Sequence, residues 1–188
     1  ILNGLGMNVI AYDKFPNEQA AKDENFKYVE LDELFEKSDI ISLHCPLTPE
    51  TRHIVNYKSI EKMKKGVILI NTARGALIDT SILVEALKDK KIGGAGLDVY
   101  EDERDYFFSD KSATVLEDDV LARLLSFNNV IVTSHQAFLT DEALNNIAET
   151  TFENILSFAK KEELKNEVWY NPETKKIVEG PRIKNKSE

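Results

Sequence analysis

Short apolar runs alternate along this chain with segments of helical periodicity, and few architectures accommodate that alternation. Runs at residues 8–12, 39–43, 67–70, 93–98 and 130–132 read as strands. Residues 31–37, 56–64, 79–90 and 118–127 read as the helices between them. In the third of these, Ile82, Leu83, Ala86 and Leu87 recur at helical spacing behind Asp79, a ready N-cap. Residues 1–6 read as the last turn of a helix with a glycine stop. Strands joined through helices pair in parallel, and strands that are apolar throughout are covered on both faces. The expected class is α/β with a doubly wound parallel sheet. Such a sheet binds ligands outside the carboxyl ends of its strands.

From Thr140 the pattern changes. Ala143, Leu144, Ile147, Ala148, Thr151, Phe152, Ile155, Leu156 and Ala159 form one long apolar stripe. Thr140 can cap it, with Asp141 and Glu142 favoured in the first turn by the helix dipole. So long a helix is expected to pack on another part of the protein. Residues 166–188 read as a polar, basic-ended tail with a turn at Asn171-Pro172, able to hold one hairpin. The net charge of −9 gives no field that would recruit nucleic acid. No apolar run approaches the ~20 residues of a membrane span. Cys45 is the only cysteine, which excludes an intrachain disulfide and fits a reducing, cytoplasmic setting. The chain opens Ile1-Leu2-Asn3-Gly4 with its first methionine at Met7, so it is expected to begin inside a larger protein.

The polar residues at the strand ends carry the chemistry. Asp13 follows the first strand. In a dinucleotide-binding unit an acid there accepts the adenosine ribose hydroxyls and repels the extra phosphate of NADP. Its glycine loop lies ~20 residues earlier, which falls before residue 1. Gly4-Leu5-Gly6 precedes a strand and is not that loop. Asp13 could equally just end a strand. His44-Cys45-Pro46-Leu47-Thr48 follows the second strand. Adjacent strand residues point to opposite faces, so His44 and Cys45 make a poor nucleophile–base pair, and a His44/Cys45/His53 metal site is as poorly formed. Packed loop residues bordering a groove are the plainer reading. Asn71-Thr72-Ala73-Arg74-Gly75 places an arginine fork, suited to a carboxylate or phosphate, on a turn. A surface arginine paired with an acid is the plain alternative. Asp98, Glu101, Asp102 and Glu103 close the 93–98 strand and could be solvated loop charges. His135 follows the last strand at the same sheet edge, so acid, base and anion binder converge.

These motifs in this order resemble the D-2-hydroxyacid dehydrogenases from residue 1 to about 165. The carrying stretches are His44-Cys45-Pro46-Leu47-Thr48, Asn71-Thr72-Ala73-Arg74-Gly75, Gly96-Leu97-Asp98-Val99-Tyr100-Glu101 and Ser134-His135-Gln136-Ala137-Phe138-Leu139-Thr140. The insertion at 103–112 resembles the NAD-dependent D-lactate subgroup. The resemblance implies a Rossmann-like NAD domain over 1–138 that lacks its glycine-loop start. It also implies that 139–165 is the returning helix of a split substrate domain, followed by the tail.

Roles follow from the resemblance position by position. Arg74 is expected to bind the carboxylate of a 2-oxo acid. His135 is expected to be the acid/base, with Glu103 hydrogen-bonding it and keeping it protonated for reduction. Asp98 is expected at the nicotinamide amide, and the backbone of Thr72, Ala73 and Arg74 at the nicotinamide end. Asp13 is expected at the adenosine ribose, with His44, Cys45 and Pro46 bordering the adenine side. Phe138 is expected to wall the substrate pocket. The chemistry agrees: reduction of a ketone builds an alkoxide, which a positioned imidazolium can quench. No metal is expected. The full-length protein is expected to reduce pyruvate to D-lactate as a homo-oligomer, and this segment alone to be inactive. A dehydrogenase for a bulkier 2-oxo acid and an NAD-sensing corepressor are the alternatives.

Overall fold

The computed structural model describes residues 1–107, 113–171 and 176–180. The expectations placed on 108–112 of the insertion, on Pro172 and on 181–188 lie outside these residues. The described chain divides into two compact units, Ile1–Ala137 and Phe138–Glu188.

The first unit opens with a short 3-10 turn, Asn3–Leu5, closed by Gly6 in the left-handed region (φ 78°). β1 (Ile10–Ala11), α1 (Glu18–Asp23) and β2 (Lys27–Tyr28) follow. Then come α2 (Leu31–Lys37), β3 (Ile40–Leu43), α3 (Tyr57–Lys62), β4 (Val67–Asn71), α4 (Thr80–Lys88), β5 (Ile92–Leu97), α5 (Asp119–Leu125) and β6 (Val130–Val132). Among the described residues β3, β4, β5 and β6 form a parallel sheet in that order, and β1 pairs in parallel with β2. The α/β expectation therefore stands, with helix starts where the sequence places its caps. Asp79 accepts from the Ile82 N–H and Asp118 from the Val120 and Leu121 N–H groups.

Two local expectations need correction, and one unread segment holds two elements. The first strand is Ile10–Ala11 and not 8–12, because β2 offers ladder partners to only those two residues. The polar segment 14–29 hides α1 and β2; the readable signal was Asn17, whose side chain caps α1 through the Ala20 N–H. The sheet is also not covered on both faces within this unit. Ile41, Leu69 and Ala95 lie in register and are buried, as are Leu43, Asn71 and Leu97. The intervening row of Ser42, Ile70, Gly96 and Ile131 faces the other way, and Ile131 is 71% exposed. Apolar strand composition does not say which face a helix of the same chain will cover. The buried face packs against Phe35, Ile60, Leu83, Leu87, Leu121 and Leu124 from the helices. Burying each such side chain contributes roughly 1.5–3 kcal/mol.

Among the described residues the second unit holds one long helix and a hairpin. α6 (Asp141–Lys160) is capped by the Thr140 side chain on the Ala143 N–H and stopped by Lys161 in the left-handed region (φ 59°). β7 (Val168–Asn171) pairs antiparallel with β8 (Lys176–Glu179), and the Trp169 indole N–H donates to the Gly180 carbonyl (3.2 Å). Among the described residues no helix is long and apolar enough to cross a membrane.

Candidate active site

The turn after β4 is built by Asn71. This side chain is buried; its Nδ2 donates to the Arg74 carbonyl (2.9 Å) and its Oδ1 accepts the Ala73 N–H (3.1 Å). An amide has both a donor and an acceptor, so one side chain closes the turn from both ends. Thr72 and Arg74 are thereby held out at the strand mouth, both exposed. Arg74 Nη1 donates to the Ala73 carbonyl (2.7 Å), and among the described residues no carboxylate pairs with the guanidinium. Gly75 then lies flush on the 98–103 loop. A Cβ there would stand 2.1 Å from the Tyr100 carbonyl carbon and oxygen and 2.5 Å from the Glu101 nitrogen.

The same packing brings the acids and the histidine together. The Glu103 carboxylate accepts the Tyr100 N–H through Oε2 (3.1 Å) and lies against His135 Nδ1 through Oε1 (3.0 Å). Glu103 is thus not a solvated loop charge; its side chain is 17% exposed. Tyr100 is itself buried and donates its hydroxyl to Asp118 Oδ2 (2.8 Å). Burial pushes the Tyr100 phenol up, and the Asp118 carboxylate that accepts its proton pushes the same way, so the donor stays neutral. His135 takes a left-handed backbone (φ 54°), an uncommon conformation outside glycine. Its N–H donates to the Asp98 carbonyl (2.7 Å) and the Thr133 carbonyl (3.1 Å).

Asp98 imposes that conformation. Its buried carboxylate accepts the Thr133 hydroxyl, the Gln136 N–H (2.8 Å) and the Ala137 N–H (2.9 Å). Burial pushes its pKa up, but those three donors and the nearby His135 outweigh burial and hold it below the usual carboxylate value. A lowered pKa means that the stabilisation is fully present above about pH 4 and is lost as pH falls through the folded value. Asp98→Asn replaces one acceptor oxygen with an NH₂ that meets backbone N–H donors. It is expected to speed amide exchange at Gln136 and Ala137 about tenfold to hundredfold, the worth of a charged hydrogen bond. Unchanged exchange at those amides would remove Asp98 from this role.

A cleft of ≈ 410 Å³ opens beside these residues, lined by Ile70, Thr72, Gly96, Asp98, Thr133 and Ala137 among others. It sits at the carboxyl ends of β4, β5 and β6, where a parallel sheet binds its ligands. Gly96 keeps the floor open, since a Cβ there would stand 3.0 Å from Ile70 Cδ1. This glycine floor and the row of polar strand ends suit a flat, extended dinucleotide. Towards β1, Asp13 turns back to accept the Phe15 N–H (2.8 Å). Burial pushes the Cys45 thiol up, and the Asp13 carboxylate pushes it the same way, which argues against a thiolate nucleophile. His44 Nε2 pairs with Ser42 Oγ (2.8 Å), not with Cys45. The Pro46 carbonyl accepts the Thr51 hydroxyl (2.7 Å), which orders that loop. His53 goes to Glu101 (2.7 Å). Among the described residues no three His, Cys, Asp or Glu side chains could hold a metal.

Of the residues singled out from the sequence, the structure therefore joins Asp98, Glu103 and His135 directly. It wedges the Arg74 turn against the Glu103 loop, and it sets the Asp13 side chain on the Phe15 N–H. Phe138 is the first residue of the second unit and is half exposed. The supporting roles of Asn71, Tyr100, Asp118 and Thr133 were not read from the sequence. Asn71 and Tyr100 lie inside the recognised motifs, and Asp118 was read only as the start of a helix.

Comparison with known proteins bears on the chain as a whole. Residues 1–137 match the family model described as D-isomer specific 2-hydroxyacid dehydrogenase, NAD binding domain. The chain is 56% identical over 155 residues to a 2-hydroxyacid dehydrogenase homolog of Haemophilus influenzae, covering 82% of this chain and 46% of that protein. It is 52% identical over 168 residues to the D-lactate dehydrogenase of Escherichia coli, covering 89% of this chain and 51% of that one. Among solved structures, one described in connection with the pyruvate reductase of Chlamydomonas reinhardtii superposes with a TM-score of 0.83 at 48% identity, over 88% of this chain and 50% of that one. The chain spans about half the length of the curated relatives it matches.

Proposed function

This chain belongs to the D-isomer specific 2-hydroxyacid dehydrogenase family, whose NAD-binding domain it carries over residues 1–137, and from that premise we propose that it is part of an NADH-dependent reductase converting pyruvate to D-lactate. The observation that carries the reading is the Glu103–His135 contact at the mouth of the β4–β5–β6 cleft (3.0 Å), beside an arginine turn. The names of the relatives, D-lactate dehydrogenase and pyruvate reductase, point to the same substrate class.

Bound nicotinamide supplies the hydride to the 2-carbon of the oxo acid. The chain's own residues do the rest. Arg74 holds the substrate carboxylate through its planar fork, fixing which face of the carbonyl is presented. Glu103 fixes the His135 ring through Nδ1, and Nε2 gives a proton to the carbonyl oxygen as it becomes a hydroxyl. In the reverse direction the same nitrogen takes that proton back. Asp98 holds the 133–137 loop and presents one edge of the cleft to the nicotinamide amide. Thr72 and Ala73 border the nicotinamide end. Asp13, with His44, Cys45 and Pro46, serves the adenosine end, and the Asp13 charge favours NAD over NADP.

The domain plan belongs to the same proposal. Residues 1–138 are the cofactor domain, 139–165 the helix returning to a substrate domain, and 166–188 the tail, with Phe138 as a wall of the substrate pocket. Among the described residues β1 pairs only with β2, and β3 only with β4 in the larger sheet. One further parallel strand between β1 and β3 would join the two sheets, and a glycine loop leaving its end would meet the cofactor phosphates. We assign turnover to the full-length homo-oligomer and not to this segment alone.

Kinetics of the full-length protein test the reading. NADH-dependent turnover is expected, with pyruvate preferred over phenylpyruvate. Arg74→Ala is expected to raise KM for the 2-oxo acid about tenfold to hundredfold, the worth of a charged hydrogen bond, with a smaller change in kcat. A wild-type protein that oxidises no NADH with any 2-oxo acid would refute the function, and a preference for phenylpyruvate would move the substrate to the bulkier class.

A further inference from the structure

His53 is a histidine with no part in the reaction described above, yet its surroundings are built. Its backbone is left-handed (φ 52°). Its Nε2 lies 2.7 Å from Glu101 Oε1, and Arg52 Nη2 reaches the same oxygen at 2.8 Å. Its Nδ1 stands 3.9 Å from Asp79 Oδ2. The backbone around it runs along the continuation of the Arg74 turn. The His53 N–H donates to the Ala76 carbonyl (2.8 Å), the Val55 N–H to Leu77 (3.0 Å) and the Asp79 N–H back to Val55 (2.9 Å). Glu101, at the other end, belongs to the loop whose Tyr100–Glu101 peptide is wedged on Gly75 and which carries Glu103 two residues on.

An exposed ion pair of this kind contributes little to stability. This one differs in placement. Two cationic or donor groups from one loop converge on one carboxylate oxygen whose side chain is only 20% exposed. The contact also closes a triangle of three segments: 51–55, 75–79 and 98–103. The second continues directly from the anion-binding arginine, and the third carries the partner of the acid/base.

We propose that His53 and Arg52, gripping Glu101, form a positioning clamp that sets the Arg74 turn against the Glu103–His135 pair. Its consequence for catalysis rests on the dehydrogenase reading. The clamp residues touch neither substrate nor cofactor. They act by fixing how far the carboxylate-holding fork stands from the proton donor, a separation on which reaction rate depends steeply.

The test uses Glu101→Gln, His53→Gln and the double variant of the full-length enzyme, with steady-state kinetics and amide exchange. Glu101→Gln is expected to lower kcat/KM for pyruvate about tenfold, mostly through KM, while NADH affinity is unchanged. The double variant is expected to lose little more, because both changes break one contact. Exchange at the His53, Val55 and Asp79 amides is expected to quicken about tenfold, while Leu69 and Ala95 in the sheet stay protected. Catalysis within twofold of wild type, fully additive losses, or quickened exchange spreading to Leu69 and Ala95 would each overturn the clamp. If the wild-type protein reduces no 2-oxo acid, the dehydrogenase reading fails, while the exchange pattern still decides the clamp.

Discussion

On the function proposed above, His135→Ala in the full-length protein is expected to lower kcat for pyruvate reduction about 10²–10⁴-fold, the usual worth of a general acid. KM for pyruvate and the affinity for NADH should change little, because Arg74 and the glycine-floored cleft are left as they were. The size of the effect follows from how much of the loop is arranged around this one ring. Its backbone is left-handed, held by the Asp98 and Thr133 carbonyls, and its Nδ1 lies against Glu103. Glu103 is in turn fixed by the Tyr100 N–H, and Tyr100 by Asp118 at the start of α5. The side chain is 30% exposed, so its removal leaves no large internal void. Steady-state kinetics with a melting curve check this: a loss of less than tenfold with the fold intact would take His135 out of proton transfer.

Gly75→Ala is expected to damage stability and activity together. The added Cβ would meet backbone atoms of Tyr100 at 2.1 Å and of Glu101 at 2.5 Å. Backbone cannot swing aside as a flexible side chain can, so the Arg74 turn and the Glu103 loop must separate. Overpacking costs about 1–3 kcal/mol, or a fall in Tm of about 2–4 °C for each kcal/mol in a domain of this size. Displacing the two catalytic loops by about 1 Å is expected to cost about 10²-fold in kcat/KM. Gly4→Ala is the control, since a Cβ at Gly4 meets nothing within 4 Å. Equal behaviour of the two variants would show that the contact at Gly75 does not couple the loops.

Much of the fold was legible because its signals are local. The Val67–Asn71 and Val130–Val132 strands are apolar runs between turn residues, and Asp79, Asp118 and Thr140 are oxygen-bearing caps in front of apolar periodicity. Where the signal was weak the reading failed. α1 is a six-residue helix of mostly polar and small residues, and β2 has two residues. The one-sided burial of the sheet was not legible either. Ile40 and Ile131 are as apolar as Ile41 and Val130, and only the placement of helices decides which of them is covered.

The candidate site divides in the same way. Sequence by itself determined the α/β class, the position of Arg74, Asp98 and His135 at strand ends, and the chemistry each side chain can offer. Period and side-chain type are properties of neighbouring residues. Pattern alone left Glu103 as one of four acids, and only the family resemblance paired it with His135. Tertiary structure decided which groups meet: Glu103 with His135 across 32 positions, His53 with Glu101 across 48, and Asp98 with the 133–137 loop. Those contacts depend on the register of β4, β5 and β6, on two left-handed histidines and on a glycine flush against a peptide. Such contacts exist only once distant segments have been packed to within a few ångströms, and no local run of residues encodes them.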